Sequence, residues 1–237
     1  MERSIEAYDF QKGEILLFDK ELDWTSFDLV RKLRNFLSRE TGIKKLKVGH
    51  AGTLDPKATG LMIVCTGKET KNIDLLQAKE KEYVAQIRLG ATTPSFDLES
   101  AEDEFFSTDH LTLELVQSAL ASFIGEIDQV PPMFSAVKID GRRAYEHARK
   151  GTHLVLQPRK ITITDLEVLD FSQSKIVLRI VCSKGTYIRS LARDLGIALN
   201  SGAYLVGLIR TRIGEMRLEE AWDLEEFIKK LKVHVTN

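Results

Sequence analysis

The stretch Gly49-His50-Ala51-Gly52-Thr53-Leu54-Asp55-Pro56-Lys57-Ala58-Thr59-Gly60 lies between two apolar segments and concentrates three glycines, one histidine, one aspartate and one proline. Glycine lets a backbone approach a ligand closely, and Pro56 stiffens the residue that follows Asp55. A carboxylate held on a stiff loop has the geometry that a nucleophile or general base needs. The glycine spacing fits neither a P-loop nor a dinucleotide-binding turn. His50 stands five residues before Asp55 with no second or third ligand nearby, so no metal site is expected. On residue types alone, a structural turn fits this stretch as well as an active site.

Working outward, Glu14 to Phe18 reads as a short buried strand, and Thr25-Ser26 cap a helix with Leu29, Val30, Leu33, Phe36 and Leu37 on its apolar face, ended near Gly42. The continuous apolar run Leu61 to Cys65 is short enough for a buried strand. Tyr83, Ala85, Ile87 and Leu89 alternate with Val84, Gln86 and Arg88, which is strand periodicity. Leu111 to Ile124 predicts a helix with Gly125 at its C-cap. Residues 129–151 open with Pro131-Pro132, turn at Asp140-Gly141, and continue as a short basic helix from Arg142 to Lys150; with little apolar content they read as a surface insertion. Strands at Lys160–Leu169 and Lys175–Cys182, a helix at Tyr187–Leu199, a strand at Tyr204–Ile213 and a helix at Leu224–Leu231 complete the chain. This mixture lacks regular βαβ alternation. It predicts an α+β fold: a single domain over 1–237 with a large mixed, mainly antiparallel sheet flanked by helices.

Composition sets the class. The chain has 237 residues, 43% hydrophobic and 29% charged, with no apolar run long enough to span a membrane. Its start resembles no signal peptide, and its two cysteines, Cys65 and Cys182, sit in apolar runs as reduced core thiols, so a cytoplasmic protein is expected. The net charge of −1 argues against a nucleic-acid binder, but the distribution argues for one. Arg31 to Lys47 holds seven basic residues and one acid, Lys138 to Lys160 seven and two, while Asp97 to Asp128 holds nine acids and no Lys or Arg. Such segregation makes a positive groove on a neutral protein, although ordinary solvated faces fit the charges equally well.

The stretch at 49–62 closely resembles the catalytic loop of the bacterial tRNA pseudouridine synthase B family. Four more stretches resemble that family in the same order: DKELDWTS at 19–26, KEYVAQIRLGATTPSFD at 81–97, QVPPMFSAVKIDGRRAYEHARKG at 129–151 and CSKGTYIRSLARDLG at 182–196. Five motifs in order, over nearly the whole chain, imply a pseudouridine-synthase fold. They also imply isomerisation of a specific T-loop uridine of tRNA to pseudouridine. Glu21 and Asp23 depart from the pattern, standing where the family usually has Pro and Gly, which leaves the turn before Thr25 open. The chain ends soon after the last core helix, so a catalytic domain without the family's C-terminal RNA-binding module is expected.

The resemblance assigns roles residue by residue. Asp55 would be the essential carboxylate, with Arg189 pairing to it and Tyr83 stacking on the extruded uracil, its hydroxyl able to move a proton. A stacking partner replaces what a flipped base loses, about 1–3 kcal/mol. His50 would fill the vacated space or touch phosphate, Lys20 would support the site, Leu208 would form its apolar floor, and Thr93 and Asp97 would support it or contact RNA. Lys138, Arg142, Arg143, Arg149 and Lys150 would grip phosphates of the tRNA T-arm, which position RNA while loop shape confers specificity. No cofactor, metal, membrane or obligatory protein partner is implied. Two alternatives stay open: pseudouridylation of another RNA, and tRNA chaperone activity.

Overall fold

The computed structural model describes residues 8–135, 138–139, 142–143 and 156–235, with backbone alone at 138–139, 142–143 and 233–235. In chain order the first elements are β1 (Ile15–Lys20), α1 (Ser26–Thr41), β2 (Val48–His50), β3 (Ala58–Thr66), α2 (Ile73–Ala78), β4 (Lys81–Leu89), α3 (Leu113–Ala121) and β5 (Gly125–Gln129). There follow β6 (Lys138–Ile139), β7 (Arg142–Arg143), β8 (Arg159–Ser172), β9 (Lys175–Cys182), α4 (Ile188–Ala198), β10 (Ala203–Ile213), β11 (Met216–Arg217) and α5 (Leu224–Val235). The described residues group into two units: those up to Lys81 together with those from Ile209 onward, and Glu82–Leu208.

In the first unit, Thr25 caps α1 as expected. Its side chain accepts the Asp28 N–H at 3.0 Å while the Asp28 carboxylate accepts the Thr25 N–H at 3.1 Å, and Gly42 closes the helix at φ 71°. The strand order is β1–β3–β10, with β2 on β3 and β11 on β10; β1 and β2 each pair β3 antiparallel. β3 is buried nearly throughout because both of its faces are covered. Met62 and Val64 pack with Phe18, Leu29, Leu33, Leu37 and Phe227 in a core that joins α1 and α5. Leu61, Ile63 and Cys65 point the other way, against Ala51, Leu76 and Ile213. That is why this strand reads as an unbroken apolar run.

In the second unit the order is β10–β4–β9–β8–β5, and the β5–β8 and β8–β9 pairs are antiparallel. β4 alternates as its sequence does, with Tyr83, Ala85, Ile87 and Leu89 buried. Helix α3 ends earlier than expected: Thr112 caps it, it closes at Ser122, and Gly125 opens β5 at φ 101° instead of capping the helix. Strand β5 was invisible in the sequence, because its exposed Glu126 and Asp128 flank one apolar residue and its pairing with β8 makes it a strand. The basic helix expected from Arg142 is corrected at its start, where Arg142–Arg143 form β7, antiparallel to Lys138–Ile139. The remainder of that helix, with Arg149 and Lys150, and the turn at Asp140-Gly141 lie outside the described residues. Both units combine helices with sheet strands, the α+β fold expected, and no helix among the described residues is long and apolar enough to cross a membrane. Cys65 and Cys182 are buried and not joined by a disulfide, and burial pushes Cys65 up to about 11.

Candidate active site

The first unit holds Asp55, His50 and Lys20. Asp55 is half-buried on the link between β2 and β3, and that link is tethered at almost every step. The Ala51 N–H donates to the Ile63 carbonyl at 2.9 Å, the Ala58 N–H to the Asp55 carbonyl at 3.0 Å and the Asp23 N–H to the Pro56 carbonyl at 2.9 Å. The Ser26 hydroxyl donates to the Leu54 carbonyl at 3.0 Å and accepts the Leu54 N–H at 2.8 Å. Arg210, 1% exposed, donates from Nε to the Leu61 carbonyl at 2.7 Å and from Nη2 to the Gly52 carbonyl at 3.1 Å. Two glycines serve this construction. Gly52 has φ 113°, a conformation closed to most side chains, and a Cβ on Gly60 would lie 2.4 Å from the Arg210 carbonyl oxygen. At Gly60 the close approach is therefore to the chain itself.

Lys20 ends β1 with no exposed surface, donating from Nζ to the carbonyls of Glu21 at 2.8 Å and Trp24 at 2.7 Å. Burial pushes its ammonium down to about 8, against the opposing pull of Asp55 and then Asp23, while Arg210 adds to the fall. A positive charge close enough to respond to Asp55 favours the ionised carboxylate in return. His50 ends β2; its Nδ1 is buried without a hydrogen-bond partner, and burial, then the Arg210 guanidinium, lowers its pKa. At the departing positions, Asp23 adopts φ 65°, a left-handed conformation that favours glycine, and its carboxylate pairs Lys57 at 2.6 Å.

The second unit holds Tyr83, Thr93, Asp97, Arg189 and Leu208. Arg189, on the first turn of α4 and 5% exposed, ion-pairs through Nη1 with Asp97 Oδ2 at 3.4 Å and donates from Nη2 to the Phe134 carbonyl at 3.0 Å. Asp97 is also buried; its Oδ1 accepts from the Ser95 hydroxyl at 2.6 Å and the Glu99 N–H at 2.9 Å. Thr93 donates to the Asp97 carbonyl at 2.9 Å, which closes a tight turn in which Phe96 takes φ 61° and meets the Arg193 guanidinium at 4.9 Å. Tyr83 is buried on β4, and Leu208 is half-buried on β10, the strand beside it. Lys138, Arg142 and Arg143 are placed by their backbones alone, on the β6–β7 hairpin.

Two residues that organise the Asp55 loop escaped sequence reasoning. Ser26 looked like part of a helix cap, a task that Thr25 performs. Arg210 left only a weak signal, a charge at the end of the apolar run 203–209, and Arg212 two residues on carries the same mark without the same burial.

Residues 39–188 match the model of the TruB family pseudouridylate synthase (N terminal domain). The chain is 57% identical over 219 residues to tRNA pseudouridine synthase B of Phocaeicola vulgatus, covering 92% of this chain and 93% of that protein. It is 49% identical over 225 residues to tRNA pseudouridine synthase B of Flavobacterium johnsoniae, covering 94% and 98%. Among solved structures, a chain of a Cbf5-Nop10-Gar1 complex matches with a TM-score of 0.70 at 29% identity. That match covers 96% of this chain, which spans only 56% of the length of its counterpart.

Proposed function

Because this chain belongs to the TruB family of pseudouridylate synthases, we propose that it converts the T-loop uridine at position 55 of tRNA to pseudouridine. The observation that carries the reading is the Asp55 loop: a half-buried carboxylate, tethered on both sides, within the electrostatic reach of a buried ammonium. A nucleophile must be ionised and held, and this loop holds its carboxylate beside a positive charge. In this reading Asp55 attacks the target nucleoside or triggers cleavage of its glycosidic bond. Uracil leaves ribose, turns, and rejoins through carbon, displacing Asp55 where it has bonded; the proton on that carbon is then lost and the freed ring nitrogen takes one up. Tyr83 supplies an aromatic face to the flipped base and a hydroxyl for proton movement. Arg189, oriented by Asp97 and the Phe134 carbonyl, supplies fixed positive charge to a site that handles anions. His50 occupies space left by the flipped base or meets phosphate, and Leu208 lines the floor.

The substrate is read as the T-arm, gripped through phosphates by Lys138, Arg142, Arg143, Arg149 and Lys150. The enzyme acts in the cytoplasm without an obligatory protein partner. The relatives that match along nearly their whole length carry tRNA in their names, which supports tRNA over other RNAs. The experiment is to incubate the protein with unmodified tRNA and map pseudouridines at single-nucleotide resolution. One new pseudouridine in the T-loop is expected. Modification elsewhere would change the substrate assignment, and none at all would overturn the reading.

A further inference from the structure

The Ser26 hydroxyl holds both backbone polar groups of Leu54, donating to the carbonyl at 3.0 Å and accepting the N–H at 2.8 Å. Ser26 and Leu54 are each 3% exposed, so water does not compete for either bond. The two groups belong to different peptide planes. The N–H lies in the Thr53–Leu54 plane; the carbonyl lies in the Leu54–Asp55 plane, which also contains the nitrogen and Cα of Asp55. One oxygen therefore fixes the plane from which the Asp55 side chain departs. The hydroxyl is free for this task, because Thr25 caps α1. Downstream, the Asp55 and Pro56 carbonyls are held by backbone N–H groups of Ala58 and Asp23, whereas this clamp on the peptide next to Asp55 is one that a side-chain substitution can release.

We propose that Ser26 is a positioning residue for Asp55, acting through the Leu54 peptide to hold the carboxylate at its working angle. The inference rests on the reading of Asp55 as the catalytic carboxylate. Displacing a reacting group by about 1 Å costs up to about 100-fold in rate, without any need for substrate binding to change.

The test compares wild type, Ser26→Ala, Ser26→Thr and Asp55→Asn on unmodified tRNA, in single turnover with enzyme in saturating excess and in steady state. The single-turnover rate constant is insensitive to any inactive fraction, so it separates misplacement from misfolding. Ser26→Ala should lower that constant by about tenfold to about 100-fold with KM held within about threefold. Ser26→Thr, which keeps the hydroxyl, should recover to within about threefold of wild type. A Ser26→Ala rate constant equal to wild type beside an inactive Asp55→Asn would overturn the role of Ser26 and leave the reading of Asp55 standing. So would a rise in KM alone, or a slowing that Ser26→Thr shares. Wild-type turnover in Asp55→Asn would instead overturn the reading itself, and this inference with it. If Ser26→Ala does not fold, Ser26→Cys replaces it: slowing relative to Ser26→Thr supports the clamp, and equal rates overturn it.

Discussion

Raising the pH should stabilise the fold through Lys20. In the unfolded chain this ammonium titrates at its ordinary 10.5; in the native protein burial pushes it down to about 8. The native state therefore gives up its proton first, and between those two values the unfolded chain binds more protons, so stability rises with pH across that window. Below about 8 both states are protonated and the full cost is borne, about 3 kcal/mol at 1.36 kcal/mol per pKa unit. Above 10.5 both are neutral and the cost vanishes. Urea unfolding of wild type and Lys20→Met across the window isolates this term, because the packing difference does not vary with pH and any change in the bonds to the Glu21 and Trp24 carbonyls is part of the titration of Lys20 itself. Relative to the variant, wild type should gain about 2 kcal/mol between about pH 7 and about pH 9.5. A difference flat to within about 0.5 kcal/mol would show that Lys20 titrates like an exposed lysine and refute the argument. Turnover should carry the same signature. Neutral Lys20 no longer favours ionised Asp55, so wild type should show a decline in kcat above about 8 that Lys20→Met lacks.

Asp55→Asn should abolish turnover while leaving fold and tRNA binding largely intact; residual activity within about tenfold of wild type would refute its role. Tyr83→Phe should keep RNA affinity and lose turnover, whereas Tyr83→Leu should lose both; wild-type activity in Tyr83→Phe would remove the hydroxyl from the mechanism. Gly60→Ala places a Cβ 2.4 Å from the Arg210 carbonyl oxygen at φ 102°, and should destabilise by about 3 kcal/mol or more in urea unfolding. Wild-type stability there would mean that β3 and β10 separate at no cost.

Elements that bury one face announced themselves by period. The stripe of α1 and the alternation of β4 both match the structure, and β9 occupies the expected Lys175–Cys182. What stayed hidden depends on partners distant in sequence. Strand β5 exists because β8 offers it hydrogen bonds, and β2 because β3 does. In the candidate site, Asp55 was legible from its unusual neighbours, but the purpose of those neighbours was not. Gly60 meets the Arg210 backbone across 150 residues of chain, and Ser26 reaches Leu54 across 28, distances at which no local pattern carries a signal. Asp97 was read as a supporting or RNA-contacting residue, and the structure gives it a specific partner in Arg189.

The first turns of α4 are fastened to the root of the 129–151 insertion by more than the Arg189 bond to Phe134. Gln129 exchanges two bonds with the Tyr187 backbone, at 3.1 Å and 2.8 Å. Ser190 and Arg193 both donate to the Val130 carbonyl, at 2.8 Å and 3.2 Å. Helix start and insertion root thus form one lever with no joint between them. In the proposed reading, a load that RNA places on this root would reach the guanidinium of Arg189 through hydrogen bonds at Gln129, Val130 and Phe134 rather than through slack chain. On that reading grip and chemistry share a single mechanical part, so loosening the root, for example by Gln129→Ala, should blur the coupling between how firmly RNA is held and how fast it reacts.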